Sequence, residues 1–369
     1  MNLRIPGPTP CPPQVLEAMA KQMINHRGPE FGEIVRDVTA NLRAFFQTRN
    51  DLLILTASGS GGMEAAIVNT LSPGDKVLAV SIGVFGERFA RIAGIYGADV
   101  TRLNFEWGKP ADPDEVRRAL EAEPRYKAVL VTHNETSTGV TNDLPAIAKV
   151  VKEHGKLLLV DGISSVGSIE IKTDDWGCDV VVSGSQKGWM VPPGLVFVTM
   201  SEQAWRAEAE AKMPRFYLDV AAAKRYLEKD QTPFTPAVSL FYALQVALRM
   251  MDEEGRDNVF DRHAKIAQHT REGVKALGLQ LFADERFASN TITAVRVPEG
   301  VDGKQLTKVL REDKGVVVSG GQQSLEGKIF RIGHLGYVTE ADIDNVMAAL
   351  AEVLPRLGFR SSVGIAAKS

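Results

Sequence analysis

Cysteine is nearly absent from this sequence: Cys11 and Cys178 are the only two in 369 residues, far apart and in no CxxC or other metal-ligand spacing. That argues against a disulfide scaffold and for a reducing compartment, with both thiols read as small hydrophobes. An excess of charge of one sign is also missing. The 43 basic and 46 acidic residues are interspersed and leave a formal charge of −3, so neither nucleic acid nor an anionic membrane surface is expected as a partner. No run approaches the ~20 apolar residues of a membrane helix, and "MNLRIPGPTPCPP" lacks the apolar segment of a secretory signal. A cytoplasmic protein that works on small molecules is the expectation left standing. Its hydrophobic content of 44% is enough for one large core or two moderate ones.

What is present is alternation. After a Pro-rich arm, "LLILT" (52 to 56), "KVLAV" (76 to 80), "DVTRLNF" (99 to 105), "KAVLVTH" (127 to 133), "KLLLVD" (156 to 161), "DVVVSGS" (179 to 185) and "LVFVTM" (195 to 200) read as strands. Amphipathic stretches such as "EAAIVNTL" and "LPAIAKVVKEHG" lie between most of them. Strands apolar on both faces and separated by helices predict an α/β fold with a mostly parallel seven-stranded sheet, covered by helices on both sides. Two long helices (238 to 254 and 258 to 276) then lead into shorter strands, "LQLFA", "TITAVRV", "GVVVS" and "KIFRIG", and a last helix from Thr339 to Leu357. The predicted organisation is an arm (1–20), a large domain (21–255), a smaller C-terminal α/β domain (256–357) and a frayed tail (358–369).

In an open parallel sheet ligands bind beyond the carboxyl ends of the strands, so the residues after each strand carry the functional argument. After "LLILT" comes "ASGSGGMEAA", where small residues and a following helix suit an anion such as phosphate. The stretch satisfies neither GxxxxGK[ST] nor GxGxxG, and a plain tight turn reads equally well. After "KAVLVTH" comes the polar "NETST", and after "KLLLV" comes Asp161. The run "VVVSGSQKG" then breaks off into Lys187. A partly desolvated lysine at a sheet edge has its pKa pushed down and becomes a nucleophile toward carbonyls. If that carbonyl is pyridoxal phosphate, the other strand ends acquire roles: Gly61 for the phosphate, Asp161 for the pyridine nitrogen and Ser137 for the phenolic oxygen.

Taken together, "IPGPTPCPPQVLEAM", "SGSGGMEAAIVNTLSPGD", "THNETSTGV", "LLLVDGISSVGSIEI", "SGSQKGWMVPPGL" and "FRIGHLGYVTEADI" resemble, in order and over nearly the whole chain, the class V (fold type I) pyridoxal-phosphate-dependent aminotransferases. Within that family they resemble the serine/alanine:glyoxylate branch. The resemblance implies that Lys187 is the Schiff-base lysine and proton carrier, Asp161 the partner of the pyridinium and Ser137 a hydrogen-bonding group at O3′ and the substrate. It further implies that Ser60, Gly61, Gly62 and Gln186 hold the phosphate, that Ile163 and Phe85 flank the cofactor ring, and that Thr235 reaches the phosphate from a partner chain. Arg331 would bind the substrate carboxylate, and the backbone at Pro6 and Gly7 would close over it. For Arg331 the competing reading is an ion pair on the small domain. Phe85 stands where many relatives carry tryptophan, and Gly62 and Thr232 stand where animal relatives carry histidine and tyrosine, which removes contacts near the phosphate.

The implied activity moves an amino group from a small L-amino acid, serine or alanine, to a 2-oxo acid such as glyoxylate, in a homodimer with shared active sites and no metal. Aspartate, phosphonate or ureido donors are alternatives within the family, as is a cysteine desulfurase-like lyase. The lyase requires a cysteine late in the small domain, where none occurs. A nicotinamide dehydrogenase would need a dinucleotide fingerprint, and a non-catalytic relative of the fold would be expected to lose Lys187 or Asp161.

Overall fold

The computed structural model describes residues 1–359; the end of the expected frayed tail, 360–369, lies outside the described residues. Seven strands form the main sheet: β1 (Asp51–Ala57), β2 (Lys76–Ser81), β3 (Asp99–Asn104), β4 (Ala128–Thr132), β5 (Leu157–Asp161), β6 (Val180–Gly184) and β7 (Gly194–Met200). Their order is β1-β7-β6-β5-β4-β2-β3, and only β7 runs antiparallel to its neighbours. All seven expected strands are therefore in one sheet, within a residue or so of their expected ends.

Alternation along the strands sorts side chains into two cores. On β1, Leu52 and Ile54 join one face, with helices Pro29–Phe46, Pro113–Ala122, Leu144–Glu153 and Val238–Glu254. Leu53 and Leu55 join the other, with helices Gly59–Thr70, Val84–Ile95, Glu202–Glu210 and Val220–Leu227. Every residue of β4, β5 and β6 is buried, so the polar groups that follow these strands emerge at one edge of a dry slab.

After Gly255 (φ +86°), helix Arg256–Ala276 sends Ile266 and Val274 into a third core. This core is shared with helices Gly303–Lys314 and Glu340–Arg356 and with an antiparallel sheet of β8 (Ile292–Arg296), β9 (Ser319–Gly320) and β10 (Ile329–Gly333), in the order β8-β10-β9. Two expected strands differ. "LQLFA" makes a single bridge, Leu281 to Val295, because the chain leaves the sheet after Phe282 and Asp284 N–H bonds the Gly108 carbonyl. "GVVVS" divides: Val316–Val317 pairs in parallel with Asn2–Leu3 of the arm, and only Ser319 and Gly320 join β10. The N-terminal arm is thus stitched to the C-terminal part of the chain.

Candidate active site

The turn after β6 is pinned on both sides of Lys187. The Ser185 hydroxyl donates to the Pro192 carbonyl (2.7 Å) and accepts from Leu195 N–H (3.2 Å). Trp189 is fully buried, donates its indole N–H to Ser183 Oγ (2.8 Å) and stacks on Phe46. These anchors leave the lysine side chain to run inward, where Nζ donates to the Pro6 carbonyl at 2.7 Å. Burial pushes its pKa down to about 8; Asp161 opposes the shift, and the charges of Arg331 and Arg88 add to it.

Asp161 closes β5, opposite Thr132 on β4. Its Oδ1 accepts from Ile163 N–H (3.0 Å) and its Oδ2 from the Thr132 hydroxyl (3.4 Å). Burial raises its pKa to about 6, and the Glu135 charge raises it further against these hydrogen bonds and Lys187. A buried carboxylate in this state gains from a cationic N–H partner.

Glu135 is a member of the site that the sequence reading left without a role. It is fully buried and accepts from Ser137 Oγ (2.6 Å), Ser137 N–H (3.0 Å), Phe85 N–H (3.1 Å) and Gly86 N–H (3.1 Å). Burial raises its pKa against those bonds. It thereby caps the helix Val84–Ile95 and holds the backbone of the half-buried Phe85. The approach is close enough that a Cβ on Gly83 would fall 2.5 Å from Glu135 and Ser137.

Ser137, expected at the cofactor O3′ and the substrate, meets Glu135 in this arrangement. Its hydroxyl is placed to donate to Glu135 and accepts from Val84 N–H at 3.0 Å. The only sequence signal was the spacing Glu-x-Ser.

The expected phosphate cradle lies in the first turn of a helix. Helix Gly59–Thr70 has no side-chain cap, and Gly62 N–H is bonded to the Ser58 carbonyl (3.2 Å). The open donors of the first turn are therefore the N–H groups of Gly59, Ser60 and Gly61. Gly62 faces the sheet, where a Cβ would lie 2.4 Å from Val196 and 2.5 Å from Val182. It packs the helix against the sheet, and its N–H is engaged within the helix. Gly59 is the close-approach residue, since a Cβ there would lie 2.7 Å from the Ile163 side chain. Near it, Gln186 Oε1 is buried without a partner. The sequence places Ser58 to Gly62 before the helix, whereas the helix begins at Gly59. The uncapped N–H groups, the lone Asp161 and Lys187 together fit pyridoxal phosphate, and Gln186 would face its phosphate through Nε2 with the amide turned over.

Arg331 comes from β10 and is only 5% exposed. Its Nε and Nη2 donate to the Gly320 carbonyl (3.0 and 2.8 Å), and its Nη1 to Thr136 O (3.2 Å) and Gln322 Oε1 (3.3 Å). Burial lowers its pKa to about 10, with Glu135 opposing, so it stays charged at neutral pH. Every partner is neutral, and the competing ion-pair reading finds no carboxylate within bonding distance among the described residues. An oriented buried guanidinium without a counterion suits a substrate carboxylate.

Pro6 and Gly7 lie against Lys187, and the Phe85 ring carries the Arg88 guanidinium 4.6 Å from its centroid. Thr235 stands apart on the surface, next to Phe234, which stacks on Tyr217 at 4.9 Å.

The model of the family described as aminotransferase class-V matches residues 1–346. The chain is 46% identical over 373 residues to a protein of Synechococcus named "Soluble hydrogenase, small subunit", covering 100% of this chain and 97% of that one. It is 37% identical to the L-aspartate–glyoxylate aminotransferase of Paracoccus denitrificans, over 98% and 92% of the two chains. Among solved structures, an alanine–glyoxylate aminotransferase from Nostoc superposes with a TM-score of 0.93 at 35% identity, covering 96% and 95%.

Proposed function

The chain belongs to the aminotransferase class-V family, and from that premise we propose that it transfers the amino group of a small L-amino acid, serine or alanine, to a 2-oxo acid, glyoxylate foremost. It is a pyridoxal-phosphate-dependent aminotransferase of fold type I, acting on amino acids and 2-oxo acids. Bound pyridoxal phosphate supplies a carbonyl for amino exchange and a ring that draws electrons from the donor Cα. In this reading Gly59, Ser60, Gly61 and Gln186 hold its phosphate, Asp161 keeps its ring nitrogen protonated, and Ile163 and Phe85 flank the ring. The Lys187 amine would hold the cofactor at its carbonyl carbon and would serve as the base for the Cα proton. Arg331 holds the α-carboxylate, with Pro6 and Gly7 covering it.

The observation that carries the reading is Arg331, a buried cation with only carbonyl partners, close enough to Lys187 to depress its pKa. Glyoxylate is common to the printed names of the Paracoccus and Nostoc relatives, whereas their donors, aspartate and alanine, differ. The hydrogenase name of the Synechococcus relative finds no matching donor set: among the described residues no three His, Cys, Asp or Glu side chains gather as metal ligands. A desulfurase-like reaction is disfavoured because Cys178 is buried, with its thiol pKa pushed up by desolvation, and Cys11 sits on the arm.

The unit in this proposal is a homodimer. Thr235 reaches the partner's phosphate, and the exposed Phe216 and Tyr217 beside Phe234 form an apolar surface for the second copy. The domain limits at 20/21 and 255/256, and a cytoplasmic location suggested by the scarcity of cysteine, belong to the same proposal. The test is the visible absorption of the holoprotein before and after L-serine, L-alanine or L-aspartate. Conversion to the pyridoxamine spectrum and its reversal by glyoxylate is the expected result and ranks the donors. A spectrum indifferent to all three rejects the reading.

A further inference from the structure

Among the described residues the hydrogen-bond partner of the Lys187 amine is the backbone carbonyl of Pro6, at 2.7 Å. The segment that presents this carbonyl is tied at both ends. On one side Arg4 N–H bonds Val317 O (2.8 Å) and Gly333 N–H bonds Arg4 O (2.7 Å); on the other, Thr9 N–H bonds Gln186 O (3.1 Å) and its hydroxyl bonds Lys187 O (3.0 Å). Between these ties the chain is packed without slack. A Cβ on Gly7, at φ +140°, would lie 2.7 Å from Lys187 Nζ and 2.9 Å from its Cδ and Cε, and one on Gly333 would lie 2.2 Å from Ile5 O.

We propose that the Pro6 carbonyl is the docking point of the Lys187 amine whenever that amine is free of the cofactor, and that Pro6 and Gly7 are positioning residues which aim it for proton transfer. The proposal rests on the reading of Lys187 as the cofactor lysine. A neutral amine has two N–H donors and one lone pair. Giving one hydrogen to Pro6 O restricts the lone pair to directions away from the arm, and the ammonium form keeps the same bond, so the group is held in both states. The side chain is otherwise a four-carbon stem with large rotamer freedom, which would cost alignment at the moment of proton transfer. Gly7 is needed because a methyl group would crowd the amine and the end of its stem, at 2.7 to 2.9 Å. The strap also ends two residues from Arg331, at Gly333, so one short segment spans the carboxylate-binding and proton-carrying groups.

The test compares wild-type holoenzyme with Gly7→Ala and with a protein carrying glycolic acid at position 7, whose ester linkage weakens the Pro6 carbonyl as an acceptor without adding a heavy atom. Borohydride trapping and peptide mass establish whether the cofactor is attached at Lys187. The half-reaction rate is then measured with normal and Cα-deuterated L-alanine. The pH midpoint of cofactor capture is measured on each apoprotein, where Asp161, Arg331 and Arg88 are the charged groups acting on the amine. Attachment is expected in all three. Gly7→Ala should slow the half-reaction about tenfold or more and enlarge the isotope effect, within the range of general-base contributions. Both variants should move the capture midpoint down, because a carbonyl that favours the ammonium is lost or weakened, with the ester the smaller change. Intact attachment with unchanged rate, isotope effect and midpoint overturns the proposal. Wild-type protein without attachment at Lys187 overturns the underlying reading, and the proposal with it. If Gly7→Ala does not fold, the ester variant decides alone.

Discussion

Lys187 and Arg331 are both buried cations of one site, yet one hangs from a turn by a single carbonyl and the other is clamped in a strand by three acceptor groups. The same desolvation acts on both. It brings lysine to about 8, within reach of neutral pH, and leaves arginine at about 10, still fully charged. The difference shows how a low-dielectric pocket separates a group that must change protonation and position from one that must do neither. Starting pKa and number of hydrogen-bond partners, more than burial, divide the two roles.

The comparison can be broken most severely at the lysine. Lys187→Ala should abolish cofactor attachment and lower kcat by about a thousandfold or more, as expected for loss of both nucleophile and proton carrier; borohydride trapping and steady-state rates check this. At the arginine, Arg331→Lys should leave attachment intact. It should raise KM for amino and oxo acid alike by about 10- to 100-fold, the equivalent of one or two charge-assisted hydrogen bonds.

Asp161 sharpens the contrast from the acidic side. Its pKa is raised from 3.8 to about 6 in the folded apoprotein, so between these values the unfolded chain loses its proton first and folding stability falls as pH rises. The full loss, reached above about pH 6, is up to about 3 kcal/mol for a shift of roughly two units. Asp161→Asn should flatten this part of the pH profile in urea unfolding of the apoprotein; an unchanged slope would mean that the carboxylate is not desolvated. Two glycines separate fold from ligand in the same turn. Gly62→Ala should cost about 1–3 kcal/mol through overpacking against Val182 and Val196 while sparing cofactor affinity in the folded fraction. Gly59→Ala should weaken cofactor binding by more than it lowers Tm. The smallest expected effect is the position of a curve: capture of pyridoxal phosphate by wild-type apoprotein should rise with a midpoint near pH 8, not near the ordinary lysine value of 10.5.

The seven strands of the main sheet were legible in sequence because each is a short apolar run bounded by turn residues, and burial on both faces leaves no room for another reading. Lys187 and Asp161 were legible as charged residues breaking such runs, whereas Arg331 was reached only through the family resemblance. At Ser137 and Gly62 the sequence leaves the surroundings open: a residue type says what a side chain can offer, while its neighbours decide what it meets. Glu135 lies against the Ser137 hydroxyl, and Val182 and Val196 take the space beside Gly62. The strand character of "GVVVS" was visible, but its division between β10 and the N-terminal arm was not, since pairing over more than 300 residues leaves no local pattern.

The sequence alone determined the layered α/β architecture, the edge at which chemistry occurs and the residue types gathered there, because hydrophobic periodicity and strand ends are local properties of the chain. Only the tertiary structure decided which donors are open, which carbonyl holds the Lys187 amine and that Arg331 has no counterion. These depend on desolvation and on competition for hydrogen bonds between groups that meet only once the chain has folded.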